Sequence, residues 1–325
     1  MDVMNIVYIL AVLIGFMASA LLGPVFIPVL IKMKFGQSIR EIGPKWHEKK
    51  SGTPTMGGII FILSLIITSL IAYKYMDTRA WLVLFCAVGF GIVGFIDDFI
   101  KVVLKRNLGL RAWQKLALQI IISLIFVYAG LTDGIVSTEV NIPFTSFVWD
   151  MGWFYVPFAV FVLLAVVNGV NLTDGIDGLA TSVTTVVMVF FAVVSAFVLE
   201  KYTSVAVFSL ALAGALLGFL LYNKNPAKVF MGDTGSLMLG GAVGALGLVI
   251  NNPFILILVG VIYLVETLSV IIQVTSFKLT GKRVFKMSPI HHHFEMCDWN
   301  EKKIVRVFSL VTAVFCILSF FGIGV

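Results

Sequence analysis

Residues 168–180 read NGVNLTDGIDGLA, four amide- or carboxylate-bearing side chains (Asn168, Asn171, Asp174 and Asp177) set among glycines between the apolar runs Phe154–Val167 and Leu179–Leu199. Carboxylates and amides are costly to hold beside a hydrocarbon core, so their presence at such a boundary calls for a reason. Asn171, Asp174 and Asp177 recur every third residue, which on a helical turn puts them on roughly one face. A polar turn with a helix N-cap accounts for a single aspartate. A cluster of this kind, in a chain with only 17 acidic residues, points to a site.

Outward from this stretch the pattern repeats. Of 325 residues, 60% are hydrophobic and 12% charged, with a mean hydropathy of +1.06. Soluble domains carry about 25% charged residues. Apolar runs at about 4–31, 57–73, 80–96, 113–131, 154–167, 179–199, 202–222, 236–250, 254–277 and 304–325 suit spanning helices rather than the alternating strands of a barrel. The expectation is an all-α integral membrane protein of about ten transmembrane helices, a single polytopic domain over residues 1–325. Ala18-Ser19-Ala20 imitates a signal-peptidase site, but Asp2 stands where a basic region would and the apolar run continues, so the first run reads as a retained helix. Cys86, Cys297 and Cys316 form no CxxC pair, and neither a disulfide framework nor a zinc site is suggested.

Lysine and arginine set the orientation. Loops 32–56, 98–115, 168–178, 223–235 and 278–306 hold 20 of the 23, leaving Lys74, Arg79 and Lys201 for the other side. Both termini are therefore expected outside and the basic loops in the cytoplasm. The net charge of +6 is then mainly this asymmetry, with some attraction for anionic substrates, and it does not indicate nucleic acid. Asp97-Asp98, the 168–177 cluster, Asn223, Gly232-Asp233 and His291–His293 all fall on the cytoplasmic side, where an active site built from loops is expected. Segment 132–153, on the outer side, is expected to form a hairpin or short amphipathic element. One-sided polarity argues against a transporter, whose polar residues gather near the midplane. Glu266 alone lies deep in a span, as a packing residue or a site component.

Several patterns are empty. Gly89, Gly91 and Gly94 spell GxGxxG inside an apolar span, and MGDTGS (231–236) lacks the GK[ST] of a P-loop. Asn171-Leu172-Thr173 is a glycosylation sequon on the wrong side of the membrane. Gly240 and Gly244 read as close helix packing.

The remaining polar residues describe chemistry. The adjacent carboxylates of Asp97 and Asp98 repel unless a cation or a shared proton compensates, with Lys101 available as a salt-bridge partner. Asp233 sits between Gly232 and Gly235, which permit close backbone approach to a ligand or serve a turn. Together the acidic loops suit an oxygen-rich Mg²⁺ site completed by waters and phosphates. Lys49, Lys50, Lys101, Arg111, Lys115, Lys282 and Arg283 could surround a polyanion. His291–His293 suit phosphate hydrogen bonding or proton handling better than zinc. Magnesium, phosphates and a lipid boundary point to phosphoryl transfer from a soluble donor to a membrane acceptor.

Asp97-Asp98, NLTDGIDGLA, MGDTGS and PIHHHFE, in this order, resemble the polyprenyl-phosphate phospho-N-acetylhexosaminyl transferases over essentially the whole chain. GTPTMGG (52–58) and the PIHHHFE form are similar to the family's muramoyl-pentapeptide branch. This resemblance implies Mg²⁺-dependent transfer of phospho-MurNAc-pentapeptide from UDP-MurNAc-pentapeptide to undecaprenyl phosphate, a membrane lipid, giving lipid I and UMP for peptidoglycan synthesis at the bacterial plasma membrane. The alternative is a sister enzyme moving GlcNAc-1-phosphate from UDP-GlcNAc to the same lipid. By resemblance, Asp97 and Asp98 are the paired aspartates that bind metal or deprotonate the lipid phosphate, and Asp233 coordinates Mg²⁺. Asn171, Asp174 and Asp177 then belong to the nucleotide-sugar loop, with Asn223 and Phe230 in a uridine pocket. Lys50, Gln273, His291 and His292 match further substrate-site positions, and Lys101 and Lys115 are candidate phosphate contacts. Direct displacement is the expected route, with an aspartyl-phosphosugar intermediate as the alternative and the lipid chain in a groove beside the ninth run. The resemblance also implies a homodimer, which the small-residue faces at Gly240 and Gly244 would permit.

Overall fold

The computed structural model describes residues 3–33, 52–103, 109–199 and 202–323. Among them run α1 (Val3–Lys32), α2 (Gly58–Ile71), α3 (Thr78–Val103), α4 (Ala112–Thr132), α5 (Tyr155–Thr173) and α6 (Leu179–Phe197). They continue with α7 (Thr203–Asn223), α8 (Gly232–Val249), α9 (Leu256–Val259), α10 (Val261–Thr280), α11 (Ile290–Glu295) and α12 (Glu301–Phe320). Nine of these helices are long and apolar enough to cross a membrane. The protein is an all-α multi-pass membrane protein.

Three of the expected runs change shape. The second forms only the 14-residue α2, about 21 Å of rise against a hydrocarbon core of about 30 Å. The eighth begins at Gly232 rather than at Ser236, so MGDTGS supplies the first turn of α8. The ninth is interrupted: Pro253 opens a 3-10 turn, α9 follows, and α10 starts after Gly260, where a Cβ would crowd the Leu256 carbonyl.

The helices form a core around α7 and α8, which are largely buried, whereas most apolar residues of α1, α4, α10 and α12 are at least partly exposed. That exposure is what a lipid-facing surface requires, because burial of apolar groups against other apolar groups gains little in a bilayer. Close backbone approach holds such helices together instead. α1 lies along α7, with Gly214 and Gly218 against the Val12 and Phe16 carbonyls. α8 lies between α3 and α5, with Gly240 against the backbone of Val167 and Gly244 against Leu163. The close packing expected of these two glycines is therefore found, but within one chain. Their buried face is spent on α5 and is not free for a second subunit.

Segment 132–153 forms the expected hairpin. β1 (Glu139–Asn141) pairs antiparallel with β2 (Val148–Asp150), Val140 opposite Trp149. The Asn141 N–H donates to the Asn251 carbonyl (2.9 Å), tying the hairpin to the end of α8 opposite Asp233.

Candidate active site

The crossing of α3 and α8 builds the site. Gly94 of α3 lies against the Asp233 carbonyl so closely that a Cβ would overlap it. One turn on, Asp98 Oδ2 accepts from the Thr234 N–H (2.8 Å) and the Thr234 hydroxyl (2.7 Å), stitching α3 to the first turn of α8. Gly232 begins that turn with φ +69°, a backbone region that a side chain disfavours. The close approach at Gly235 is made by the Gly58 backbone of α2 rather than left for a ligand.

Around this crossing the charges are placed by spacing. Lys101, four residues after Asp97 on the same helix, sets Nζ 2.6 Å from Asp97 Oδ2 and also 2.6 Å from Asp233 Oδ2. Lys115 of α4 reaches Asp233 Oδ2 at 3.0 Å. The Asn171 amide of α5 donates to Asp233 Oδ1 and to the Ser236 hydroxyl, both at 2.8 Å. Asp97 Oδ1 accepts the Leu110 N–H at 2.7 Å, which fixes the start of the α4 approach. Four helices thus contribute to one cluster.

The cluster fits a metal. One carboxylate oxygen from each of Asp97, Asp98 and Asp233 lies within 4.8 Å of the others. Asp97 and Asp98 are buried, at 2% and 3% exposure. Three carboxylates against two ammonium groups leave a net negative site, and the Lys101 ammonium already bridges two of the carboxylates as a cation would. An all-oxygen donor set suits a hard divalent cation rather than one that favours thiolate or imidazole.

Asp174 stands at the C-cap of α5 beside this cluster. Burial first, and then the Asp233, Asp98 and Asp177 carboxylates, push its carboxyl well above the usual range. Its folded-state pKa exceeds that of the unfolded chain. In the cation-free protein the resulting stability is present below the ordinary carboxylate range and lost as pH rises through the raised value. Thermal melts in EDTA at stepped pH are expected to show this decline, and Asp174→Asn is expected to reduce it.

The three-residue recurrence of Asn171, Asp174 and Asp177 does not become one helical face. α5 stops at Thr173, and Gly175 and Gly178 (φ +75°) open a turn before α6. Asp177 is directed away from the carboxylate cluster, its Oδ2 accepting the Asn225 amide (3.1 Å) and the Ala227 N–H (3.0 Å). The Glu301 carboxylate of α12 accepts both the Asp177 N–H and the Asn225 amide at 3.2 Å. Asn223 is buried, taking the Thr181 hydroxyl on Oδ1 (2.6 Å) and donating to the Val229 carbonyl (3.0 Å). Phe230 is half-buried, and its backbone pairs with the GTPTMGG segment through Pro54 and Gly57. That motif clamps the approach to α8.

Gln273 of α10 folds segment 281–289 back onto the helix. Its Oε1 accepts Val284 N–H (3.0 Å) and Phe285 N–H (2.9 Å), and its amide donates to the Phe285 carbonyl (3.0 Å). Gln273→Leu is expected to cost about 1 kcal/mol, read as a lower melting temperature with faster proteolysis inside 281–289. The three histidines diverge. His291 is fully buried with Nδ1 3.0 Å from Glu266, His292 Nδ1 meets Glu295 at 2.6 Å, and His293 Nδ1 accepts the Lys286 N–H at 3.1 Å. Lys49 and Lys50 lie outside the described residues. Thr234 and Ser236, inside the MGDTGS motif, and Asn225 and Glu301 are participants that the sequence reading did not single out.

The chain matches Glycosyl transferase family 4 over residues 80–251 and the phospho-N-acetylmuramoyl-pentapeptide-transferase signature 1 over residues 50–62. It is 55% identical over 323 residues to the phospho-N-acetylmuramoyl-pentapeptide-transferase of Clostridium botulinum (strain Eklund 17B / Type B), covering 99% of this chain and 98% of the relative. The protein of the same description from Clostridium kluyveri (strain NBRC 12016) is 54% identical, covering 97% and 99%. That from Clostridium perfringens (strain 13 / Type A) is 52% identical, covering 96% and 97%. With the signature lying on the segment that clamps α8, and the carboxylates inside the family match, the chain belongs to the phospho-N-acetylmuramoyl-pentapeptide-transferase family, within glycosyl transferase family 4.

Proposed function

We propose that the protein transfers phospho-MurNAc-pentapeptide from UDP-MurNAc-pentapeptide to undecaprenyl phosphate, giving lipid I and UMP, with Mg²⁺ at the Asp97–Asp98–Asp233 cluster. The observation that carries this reading is the convergence of three carboxylates and two lysines at one end of the α3–α8 crossing. The family membership supports the muramoyl donor over UDP-GlcNAc. The concentration of lysine and arginine in the loops at that end supports a site facing the cytoplasm of a bacterial plasma membrane. A homodimer would have to use a face other than that of Gly240 and Gly244.

In this reading Asp97, Asp98 and Asp233 hold the cation, which when bound neutralises charge developing on the pyrophosphate. An oxygen of the lipid phosphate forms a bond to the β-phosphorus of the donor, and the bond from that phosphorus to the bridging oxygen breaks, releasing UMP. The lipid phosphate, with its second pKa near 6, is already mostly a dianion at pH 7, so Asp97 gains little as a base. It serves by holding Lys101, and Lys101 and Lys115 bind the phosphate oxygens that meet there. Asn171 fixes Asp233, while Asp174 beside the cluster, the Asp177–Asn225 contact and the buried Asn223 shape the loop that receives the nucleotide-sugar. Phe230 offers a ring to the uracil. Lys50, Gln273, His291 and His292 complete the donor side, Gln273 by holding its loop.

The test is a transfer assay in detergent with labelled UDP-MurNAc-pentapeptide and, in parallel, UDP-GlcNAc. Lipid I and UMP from the first donor alone are expected. Product from UDP-GlcNAc alone would overturn the donor assignment, and no product from either would overturn the reaction. Single-turnover quenching is expected to trap no phosphosugar on the protein, in keeping with direct displacement.

A further inference from the structure

One fully buried acidic residue, Glu266, has no part in the reaction as described. Glu266 of α10 and His291 of α11 are both fully buried, with Nδ1 and Oε1 3.0 Å apart. The second atom of each group, Glu266 Oε2 and His291 Nε2, is buried without a hydrogen-bond partner among the described residues. A carboxylate with a free oxygen inside a spanning helix is costly, and packing alone would be served better by an apolar side chain. The orphaned Nε2 is not aimed at the core. It lies against Gly175, where a Cβ would overlap the ring, in the turn between Asp174 and Asp177.

We propose that Glu266 is a positioning residue for the transfer: it holds the ring proton of His291 on Nδ1 and leaves Nε2 as the nitrogen that meets the nucleotide-sugar donor. The inference rests on the reaction proposed above. A neutral imidazole carries one proton and an ionised carboxylate only accepts, so contact with Glu266 assigns that proton to Nδ1. Carboxylate-to-imidazole contacts elsewhere set ring orientation and tautomer in the same way. Nε2 is then the ring nitrogen with a free lone pair. A neutral ring accepts there, from a hydroxyl or an amide N–H of the donor, and a phosphate oxygen is met at the same position only once the ring is protonated. Glycine at 175 leaves the ring the place that a Cβ would otherwise fill.

The test uses the full chain in detergent with ¹⁵N-labelled histidine. His291 is assigned among the four histidines by loss of its signals in His291→Asn. Wild type is expected to carry the proton on Nδ1, and Glu266→Leu to move it to Nε2. With Glu266→Leu, kcat is expected to fall by ~100-fold with KM for the donor little changed and the melting temperature no lower, since a costly buried carboxylate has been removed. Glu266→Gln keeps an acceptor, and is expected to retain the Nδ1 proton and recover most of the activity. A wild-type proton on Nε2, or full kcat in Glu266→Leu, overturns the proposal. Should Glu266→Leu fail to fold, Glu266→Gln decides: full activity with the proton moved to Nε2 overturns it as well. The tautomer is read without substrate, so an inactive wild-type chain overturns the reaction and not the assignment of the proton.

Discussion

Asp233→Asn is expected to lower transfer by about 10³-fold, the loss of several kcal/mol of charge stabilisation, with little change in melting temperature. Asp233 is the residue on which the cluster converges. Its Oδ2 takes Lys101 at 2.6 Å and Lys115 at 3.0 Å, and its Oδ1 takes the Asn171 amide at 2.8 Å. Asparagine is nearly isosteric, so packing at the start of α8 is kept. However, its amide nitrogen must face either the two ammonium groups or the Asn171 amide, donors on every side. The three carboxylates that outweighed two lysines become two, and the site loses the net negative charge that attracts a divalent cation. Steady-state kinetics at saturating donor and lipid phosphate, with melting followed in parallel, separate this loss from unfolding. Near-normal turnover in Asp233→Asn would contradict the role given to this carboxylate.

Gly94→Val is expected to reduce transfer by about 100-fold or more and to lower the melting temperature as well. The Gly94 Cα faces the Asp233 carbonyl with no room for a Cβ, so a branched side chain must push α3 and α8 apart. Overpacking of this kind costs about 1–3 kcal/mol, while displacement of reacting groups by about 1 Å costs on the order of 10²-fold in rate. Both consequences arise at one place, because Asp98 and Thr234 lie on either side of the same crossing. Gly89, on the same helix but against the Ile122 side chain of α4, is the control. Gly89→Ala meets atoms that can give way and is expected to leave transfer nearly unchanged. Equal losses at the two glycines would show that general packing, and not the α3–α8 approach, sets the rate.

These effects divide by what local sequence can carry. The spans are legible because apolar composition alone decides them, and Lys101 beside Asp97 is legible from a spacing of four on one helix. The hairpin at 139–150 follows from a polar, turn-rich segment between spans. The approach of Lys101 to Asp233, 132 residues apart, depends on α3 crossing α8, which no local pattern encodes. Gly240 and Gly244 announce a close neighbour without saying which, and α5 fills the place that a second subunit would need. The regular spacing of Asn171, Asp174 and Asp177 misleads because α5 ends at Thr173 and Gly175 turns the chain before Asp177, which then finds Asn225 and the α12 end. The break in the ninth run is signalled by Pro253 and Gly260 but hidden by the apolar residues around them.

A divalent cation held by Asp97, Asp98 and Asp233 is central to the proposed transfer, and its binding is measurable apart from turnover. Mn²⁺, visible by electron paramagnetic resonance, would be titrated into the detergent-purified wild-type chain with UDP-MurNAc-pentapeptide present, then competed with Mg²⁺. The same titration would be run on a chain carrying Asp97→Asn, Asp98→Asn and Asp233→Asn together, with its melting temperature checked. One saturable Mn²⁺ site is expected in wild type, displaced by Mg²⁺ and absent from the folded triple variant. Undiminished Mn²⁺ binding in that variant would place the cation elsewhere and overturn the role proposed for the three carboxylates.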